Sequence, residues 1–354
     1  VTQALLIKQS EYKVKQLEEG FEKWLLDLVA IGTVADIQPL LSENRVFVKY
    51  GLVVLNKLRR IGLKTLIQSL KNKTPLIDER IIGWQISPRL NAAGRLNHAS
   101  TAYEILITND ENKAIDLTKE LSDTNSERQR ITERIKKEAF QSIGEMDDQK
   151  ILIAVGDEWP TGVVGLVAGR IMDKNHRPAL VISHFKGGII GSARSIPEFD
   201  VIEAIGKCGE YLTKFGGHPQ AAGFTVKDED RLQKFIKKMQ QIAEDQLNDK
   251  DITPILEVDA QIELEQVDWK LFEDLEKFSP FGQSNPKPLF MAKNLTVIDF
   301  TKLGKADAHM RLMVSDKTPI VRKAIAFFLG EWCDKLNKGD KIDMVFEIDL
   351  NEWN

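Results

Sequence analysis

Two short segments carry most of the chemistry that residue type and spacing can suggest. In GSARS, at residues 191–195, Ser192 and Ser195 offer hydroxyl donors, and Arg194 offers a planar fork that matches two phosphate oxygens. Gly191 would let the backbone approach a ligand closely. The alternative is a strand-end arginine paired with Glu198 or Asp200. In FGGHPQAAGF, at residues 215–224, Gly216 and Gly217 predict a tight turn that projects His218. That imidazole would donate to a phosphate or act as an acid. The small run Ala221, Ala222, Gly223 would let another backbone pack closely.

Two further segments are weaker alone. PRLNAAGR, at 88–95, sets Arg89 and Arg95 on either side of Asn91 and three small residues. Such a loop can hold phosphodiester oxygens, and it can equally be a helix start with solvated arginines. GTVAD, at 32–36, brings Asp36 behind a glycine that would end a helix, as a metal ligand or as a cap. His98, His176, His184 and His309 show no metal-ligand spacing. Nor is there a P-loop, a GxSxG motif or a Cys/His pair.

Composition limits the classes that remain. With 354 residues and 42% hydrophobic content the chain can build two or three domains. Its net charge of −4 excludes a strongly basic nucleic-acid binder, so any polyanion must meet a local patch. Cys208 and Cys333 form no CxxC pattern, which fits a reducing, cytoplasmic compartment. No stretch approaches the ~18 apolar residues of a membrane span. The chain opens at Val1 inside helical sequence, which predicts further sequence upstream.

These segments need elements to position them. The pattern predicts helix over 1–31, stopping at Gly32, and a second helix behind Ser42 as N-cap with Val46, Tyr50, Val53, Lys57 and Ile61 along one side. Residues 63–70 continue in the same style. Residues 110–143 hold no glycine or proline and predict a long exposed strut with Ile131, Ile135, Ala139 and Ile143 as its narrow apolar edge. Strands at 151–155, 179–183 and from Ile189, with helices at 162–173 and 229–249, predict α/β architecture. From Ile255 the segments ILEVDAQIEL, LFMAKNLTVIDF, HMRLMVSD, RKAIAFF and KIDMVFEIDL predict a small barrel or sandwich.

Taken in order, GTVADIQPL, SPRLNAAGRL, EWPTGVVGLVAGRI, GSARS, FGGHPQAAGF, PFGQSNPKPLF and FEIDLNEWN resemble the RecJ-type single-stranded-DNA exonucleases of the DHH phosphoesterase superfamily over nearly the whole chain. The resemblance implies an α/β multidomain fold. Its parts would be the C-terminal part of a DHH-type catalytic domain at 1–108 and a connecting helix at 109–147. A DHH-associated α/β substrate-binding domain would follow at 148–250, and an OB-like β-barrel at 251–354. It implies metal-dependent 5′→3′ hydrolysis of single-stranded DNA in repair and recombination, with two Mn²⁺ or Mg²⁺ ions. Asp36 would be a metal ligand, and Asp36, Arg89 and His218 catalytic residues. Phosphate would be held by Arg89, Asn91, Arg95, Ser192, Arg194, Ser195, Gly217 and His218, with Arg89 favoured over Arg95 beside the reacting phosphate. Phe300 or Trp332 would stack on bases or fill the barrel core.

Single-stranded DNA is the implied partner, single-strand-binding protein a candidate one, and the chain a cytoplasmic monomer with no membrane association. The sequence departs from the family at two points: Gln283-Ser284-Asn285-Pro286 has serine for a glycine, and no Asp-His-His or early Asp-x-Asp motif is present. Two other functions therefore stand beside the exonuclease. One is a non-catalytic single-strand-binding module; the other is a DHH phosphodiesterase for short oligonucleotides.

Overall fold

A computed structural model of the chain describes residues 2–9, 17–70, 76–146 and 148–351. Residues 1 and 10–16 of the helix expected over 1–31, and the last three of FEIDLNEWN, lie outside them. Two compact units form. One comprises residues 1–57, 72–82 and 256–354, the other residues 58–71 and 83–255.

The chain begins with helices α1 (Thr2–Lys8), α2 (Phe21–Trp24), α3 (Leu26–Ala35) and α4 (Ser42–Leu55). Helix α3 does not stop at Gly32. It runs through it, and Asp36 becomes the C-cap, because the chain turns only at Ile37, with φ of 52°, ahead of Pro39. Ser42 is the first residue of α4 rather than its N-cap, and no side chain caps that end. The side of α4 expected to be buried is also reversed. Val46, Tyr50 and Val53 are at least half exposed, while Val48, Gly51 and Leu55 point inward. The cause is the α3–α4 crossing: a Cβ on Gly51 would lie 2.3 Å from the Leu26 carbonyl oxygen, so only glycine allows this approach.

Helices α5 (Ile61–Gln68) and α6 (Glu79–Ile81) follow, then a π-helical turn over Ile82–Ile86 that leads into α7 (Ser87–Leu96), α8 (Ser100–Ile107) and α9 (Glu111–Ile143). In α9 the side chain of Asp110 accepts from the Lys113 amide and caps the first turn. The helix is not an exposed strut. One side is buried from Ala114 to Ile143, because α5, α7, α8, α10 (Thr161–Asn175) and β1 (Leu152–Asp157) all pack on it within one unit.

The same unit holds β2 (Ala179–Phe185), β3 (Gly188–Arg194), α11 (Val201–Gly206), β4 (Leu212–His218), β5 (Ala221–Val226) and α12 (Glu229–Leu247). Sheet order is β1-β2-β3-β5-β4, with only the β1–β2 pair parallel. One face, with Leu180, Ala193, Ala222 and Phe224, packs on α11 and α12 around Phe199 and Phe235. The other, with Leu152, Ala154, Ala179 and Val181, packs on α9 and α10.

The C-terminal part contains β6 (Ala260–Gln261), α13 (Trp269–Glu276), β7 (Phe290–Leu303), β8 (His309–Ser315), β9 (Val321–Ala326) and β10 (Lys341–Phe346). The order β10-β7-β8-β9, with β6 parallel to β7, curls around Leu264, Leu295, Val297, Leu312 and Val314. Register shifts in the long β7 against both neighbours supply the bends that such curvature needs. Of ILEVDAQIEL only Ala260 and Gln261 pair as strand. In the 282–285 turn Ser284 takes φ of 61°, the left-handed conformation that glycine adopts most easily. The turn is held by Asn285, whose amide donates to the carbonyls of Phe278 and Pro280.

Candidate nucleic-acid site

Strand register decides which of the motif residues meet. Across β2, β3, β5 and β4 one row reads Val181, Ser192, Gly223, Gly216, and the row two residues on reads Ala179, Arg194, Ala221, His218. Side chains alternate between the faces of a sheet, so Ser192, Arg194 and His218 share one face. Their neighbours there are small, which leaves a trough. It is an open cleft of about 380 Å³, lined by Thr161, Val164, Ile190, Ser192, Lys214, Gly216 and Gly223 among others. That size falls within the range of small-ligand sites.

The glycines act differently from the expectation. Gly216 and Gly217 do not form a turn; they lie inside β4, and the turn is made by Pro219 and Gln220. Gly217 has φ of 154°, and a Cβ there would come within 2.3 Å of the Ala221 carbonyl oxygen. Gly216 has open space where its side chain would be. Gly191 serves the core instead of a ligand: a Cβ on it would strike the Phe224 ring at 2.2 Å. Helix α10 spans the trough's rim, and its own glycines make room. Gly165 lies against Ser192 Oγ and the Arg194 guanidinium, and Gly162 lets the Arg95 backbone approach. No side chain caps the first turn of α10, at Thr161, so its amide end favours an anion.

PRLNAAGR is helical rather than a loop. Arg89 and Arg95 are six residues apart on α7, so they project from different sides of it. Arg89 turns back, donating to the Gln85 carbonyl at 2.7 Å, with its Nε buried and without a partner. Asn91 is exposed. Arg95 reaches toward α10 and donates to the Gly162 carbonyl at 3.1 Å. Arg194 donates to Ser192 Oγ and to the Ala193 carbonyl, at 3.2 and 2.7 Å. Burial, followed by the charge of Arg95, pulls the Arg194 guanidinium below the ordinary arginine range. Burial does the same to Arg89 and Arg95.

Ser195 stands apart from this cluster. It is buried, and its hydroxyl donates to the Phe199 carbonyl at 2.6 Å. Two further cations come near, Arg128 of α9, which no sequence motif includes, and Arg170 of α10, the arginine of EWPTGVVGLVAGRI. Burial, then Arg95 and Arg170, lower Arg128. Arg170 is ion-paired with Glu133. Among the described residues, Arg89, Arg95, Arg128 and Arg194 form no ion pair with a carboxylate. An arginine placed at a buried seam position of a long helix is the signal by which Arg128 could have been found.

Asp36 belongs to the other unit. It is exposed, and its Oδ2 accepts from the Gln38 amide at 2.6 Å. No group of three or more His, Cys, Asp or Glu side chains among the described residues could hold a metal ion. Hard divalent cations take about six oxygen ligands, so Asp36 and its neighbours do not by themselves fit Mn²⁺ or Mg²⁺.

In the β-rich part, Phe300 packs against the core rather than facing a strand. Trp332 is exposed with the Lys335 ammonium 5.2 Å from its ring centroid. Two rings outside the sequence expectations, Phe327 and Phe328, are 67% and 81% exposed. Both stand edge-on to His309, whose Nδ1 accepts from the Phe328 amide. None of the helices among the described residues is long and apolar enough to cross a membrane.

The fold and the site together define a class of protein: an α/β domain with arginines beside an open trough, followed by a curled, half-barrel sheet. The DHHA1 domain family matches residues 148–245, and the RecJ OB domain family matches residues 258–354. Over most of its length the chain is similar to RecJ proteins. It is 36% identical to the single-stranded-DNA-specific exonuclease RecJ of Bacillus subtilis, over 93% of this chain and 42% of that protein. The protein of the same name from Haemophilus influenzae is 30% identical, over 93% of this chain and 59% of its own length. The crystal structure of RecJ in complex with Mn²⁺ from Thermus thermophilus superposes with a TM-score of 0.80 at 26% identity, covering 94% of this chain and 48% of that one. The chain thus spans about half the length of the relatives it matches.

Proposed function

We propose that this chain anchors a phosphate of single-stranded DNA within a 5′→3′ exonuclease of DNA repair and recombination. The observation that carries the reading is the half-buried Arg194, with the more exposed Arg95 near it and neither paired with a carboxylate, beside a glycine-floored trough. Partly desolvated cations that face one another are unfavourable until an anion arrives. Arg194 would grip two non-bridging oxygens, with Ser192 and Arg95 beside it and His218 donating from the far strand. Gly217 would set the course of β4 toward His218, and Ser195 would fix the loop after β3. Arg89 and Asn91 would act outside this cluster.

Single strands are named as the substrate of the relatives, and the exposed Phe327, Phe328 and Trp332 suit unpaired bases. Structures of the relatives are complexes with Mn²⁺ and Mg²⁺, and Asp36 is the one carboxylate this reading would offer such an ion. The reading extends to a cytoplasmic monomer with single-strand-binding protein as a candidate partner.

Nucleotide release from 5′-labelled single strands in Mn²⁺, measured on the full-length parent protein with a duplex of the same sequence as control, tests this. Arg194→Ala and Asp36→Ala should each slow release by at least about tenfold. Unchanged rates in both variants overturn the site assignment. Arg194-dependent binding without any Mn²⁺-dependent release would instead support the non-catalytic binding module.

A further inference from the structure

The inward side of α9 runs Thr118, Leu121, Asn125, Arg128, Thr132, Ile135, Ala139, Ile143, in steps of three or four. Leu121, Ile135 and Ala139 are fully buried. Between them the seam turns polar, with Asn125 5% and Thr132 1% exposed and Arg128 half-buried. A helix core would gain more from leucine at these positions. The polar residues are ordered around Arg128. Its Nη2 donates to Asn125 Oδ1 at 2.9 Å, and its carbonyl accepts from the Thr132 hydroxyl at 2.7 Å. Its Nε is buried without a partner. The carboxylates of this stretch of α9 are engaged elsewhere: Glu127 pairs with Arg130, and Glu133 with Lys136 and Arg170. Helices α7 and α10, which carry Arg95 and Arg170, both pack on α9.

We infer that Arg128, held by Asn125, forms a second anion subsite on α9, which takes a phosphodiester of the same strand one step or more from the phosphate at Ser192 and Arg194. This rests on the phosphate-anchoring reading above. Arg128 is the binding group and Asn125 a positioning residue that presents its fork. The arrangement gives the long helix a task beyond packing: it measures strand length, because a single nucleotide reaches only the β3 subsite and a longer one spans both.

The test is equilibrium binding of 5′-phosphorylated oligothymidylates of one and four residues to the whole chain, in EDTA, across a salt series. The unaltered protein should bind the tetramer more tightly on the order of tenfold. Arg128→Met should abolish that gain, leave the mononucleotide within about twofold, and flatten the tetramer's log–log salt slope by about 0.7. Arg128→Lys should restore the slope but only part of the gain, and Asn125→Ala should lose part of the gain. Because a crowded cation is removed, the midpoint of thermal unfolding should not fall in Arg128→Met. A lowered midpoint with the length gain and slope intact would assign Arg128 a structural role and overturn the subsite. In that case Arg194→Met, if it weakens both ligands, leaves the phosphate-anchoring reading standing. Failure of Arg194→Met and Arg128→Met alike to alter either ligand would end both.

Discussion

Among the described residues the two units differ in where their unpaired positive charge sits: on exposed lysines in one, and on partly covered arginines beside the trough in the other. On the barrel, lysines sit beside carboxylates: Lys302 with Asp334, Lys335 with Glu331, Lys338 with Asp299, and Lys287 with Asp349. That unit also exposes lysines outside those pairs, Lys293, Lys317 and Lys323 among them, and the rings of Phe327, Phe328 and Trp332. The α/β unit has ion pairs of the same kind on its surface, such as Lys113 with Glu104 and Lys207 with Glu203, but differs beside its trough. Its trough exposes few rings and gathers Arg95, Arg128 and Arg194 away from acids. Surface pairs are worth about 0–1 kcal/mol and are solvated with or without a ligand. Half-buried cations lacking anions retain their full attraction for a polyanion. Under the phosphate-anchoring proposal, the difference would let a chain of net charge −4 attract a polyanion locally.

The largest effect that would break this contrast is structural. Gly217→Ala forces a methyl onto the Ala221 carbonyl, and should cost about 3 kcal/mol in denaturant unfolding. Gly216→Ala, with open space, should leave stability unchanged while weakening strand binding by narrowing the trough floor. Equal loss of stability in both variants would contradict the pairing of β4 with β5.

A smaller effect sharpens the contrast directly. Phe328→Ala should weaken single-strand binding by about 1–2 kcal/mol without changing its salt slope, since stacking releases no counter-ions. A slope that flattens as it does for an arginine variant would mean that the barrel, too, works by charge.

The smallest effect concerns His184. Its Nε2 lies 2.9 Å from Glu229 and its Nδ1 3.0 Å from Asp157, joining the ends of β1 and β2 to the start of α12. Glu229, then Asp157, raise its pKa above the ordinary value. The stability this adds is complete below the unfolded value of ~6.5 and is lost as pH rises through the raised folded value. The pairs are exposed, so the unfolding midpoint should fall by no more than about 2 °C across that window. His184→Gln should remove the dependence; a dependence that persists would place its origin elsewhere.

Much of the site is legible in the residues themselves. Ser192, Arg194 and His218 stand out by residue type, and strand alternation sets them on one face once their register is known. The register is not legible, so the Gly216-Gly217 pair reads as a turn when it continues a strand. PRLNAAGR is legible in composition and misleading in conformation, because small residues suit a loop and a close-packed helix equally. The long helix is clear in extent. Its burial is not, since a seam holding Asn125, Arg128 and Thr132 looks solvated until neighbours are seen to cover it.

By itself the sequence determined most of the order of elements and the two domain types, and it singled out the candidate phosphate donors, because those depend on local pattern and side-chain chemistry. Tertiary structure decided which arginines meet. Arg95 joins Arg194 and Arg128 through the packing of α7 and α10 on α9, while Arg89 turns back to Gln85. Such proximity is set by helix rotation and by close approaches at Gly162 and Gly165. Those are properties of the packed chain, which no spacing along it records.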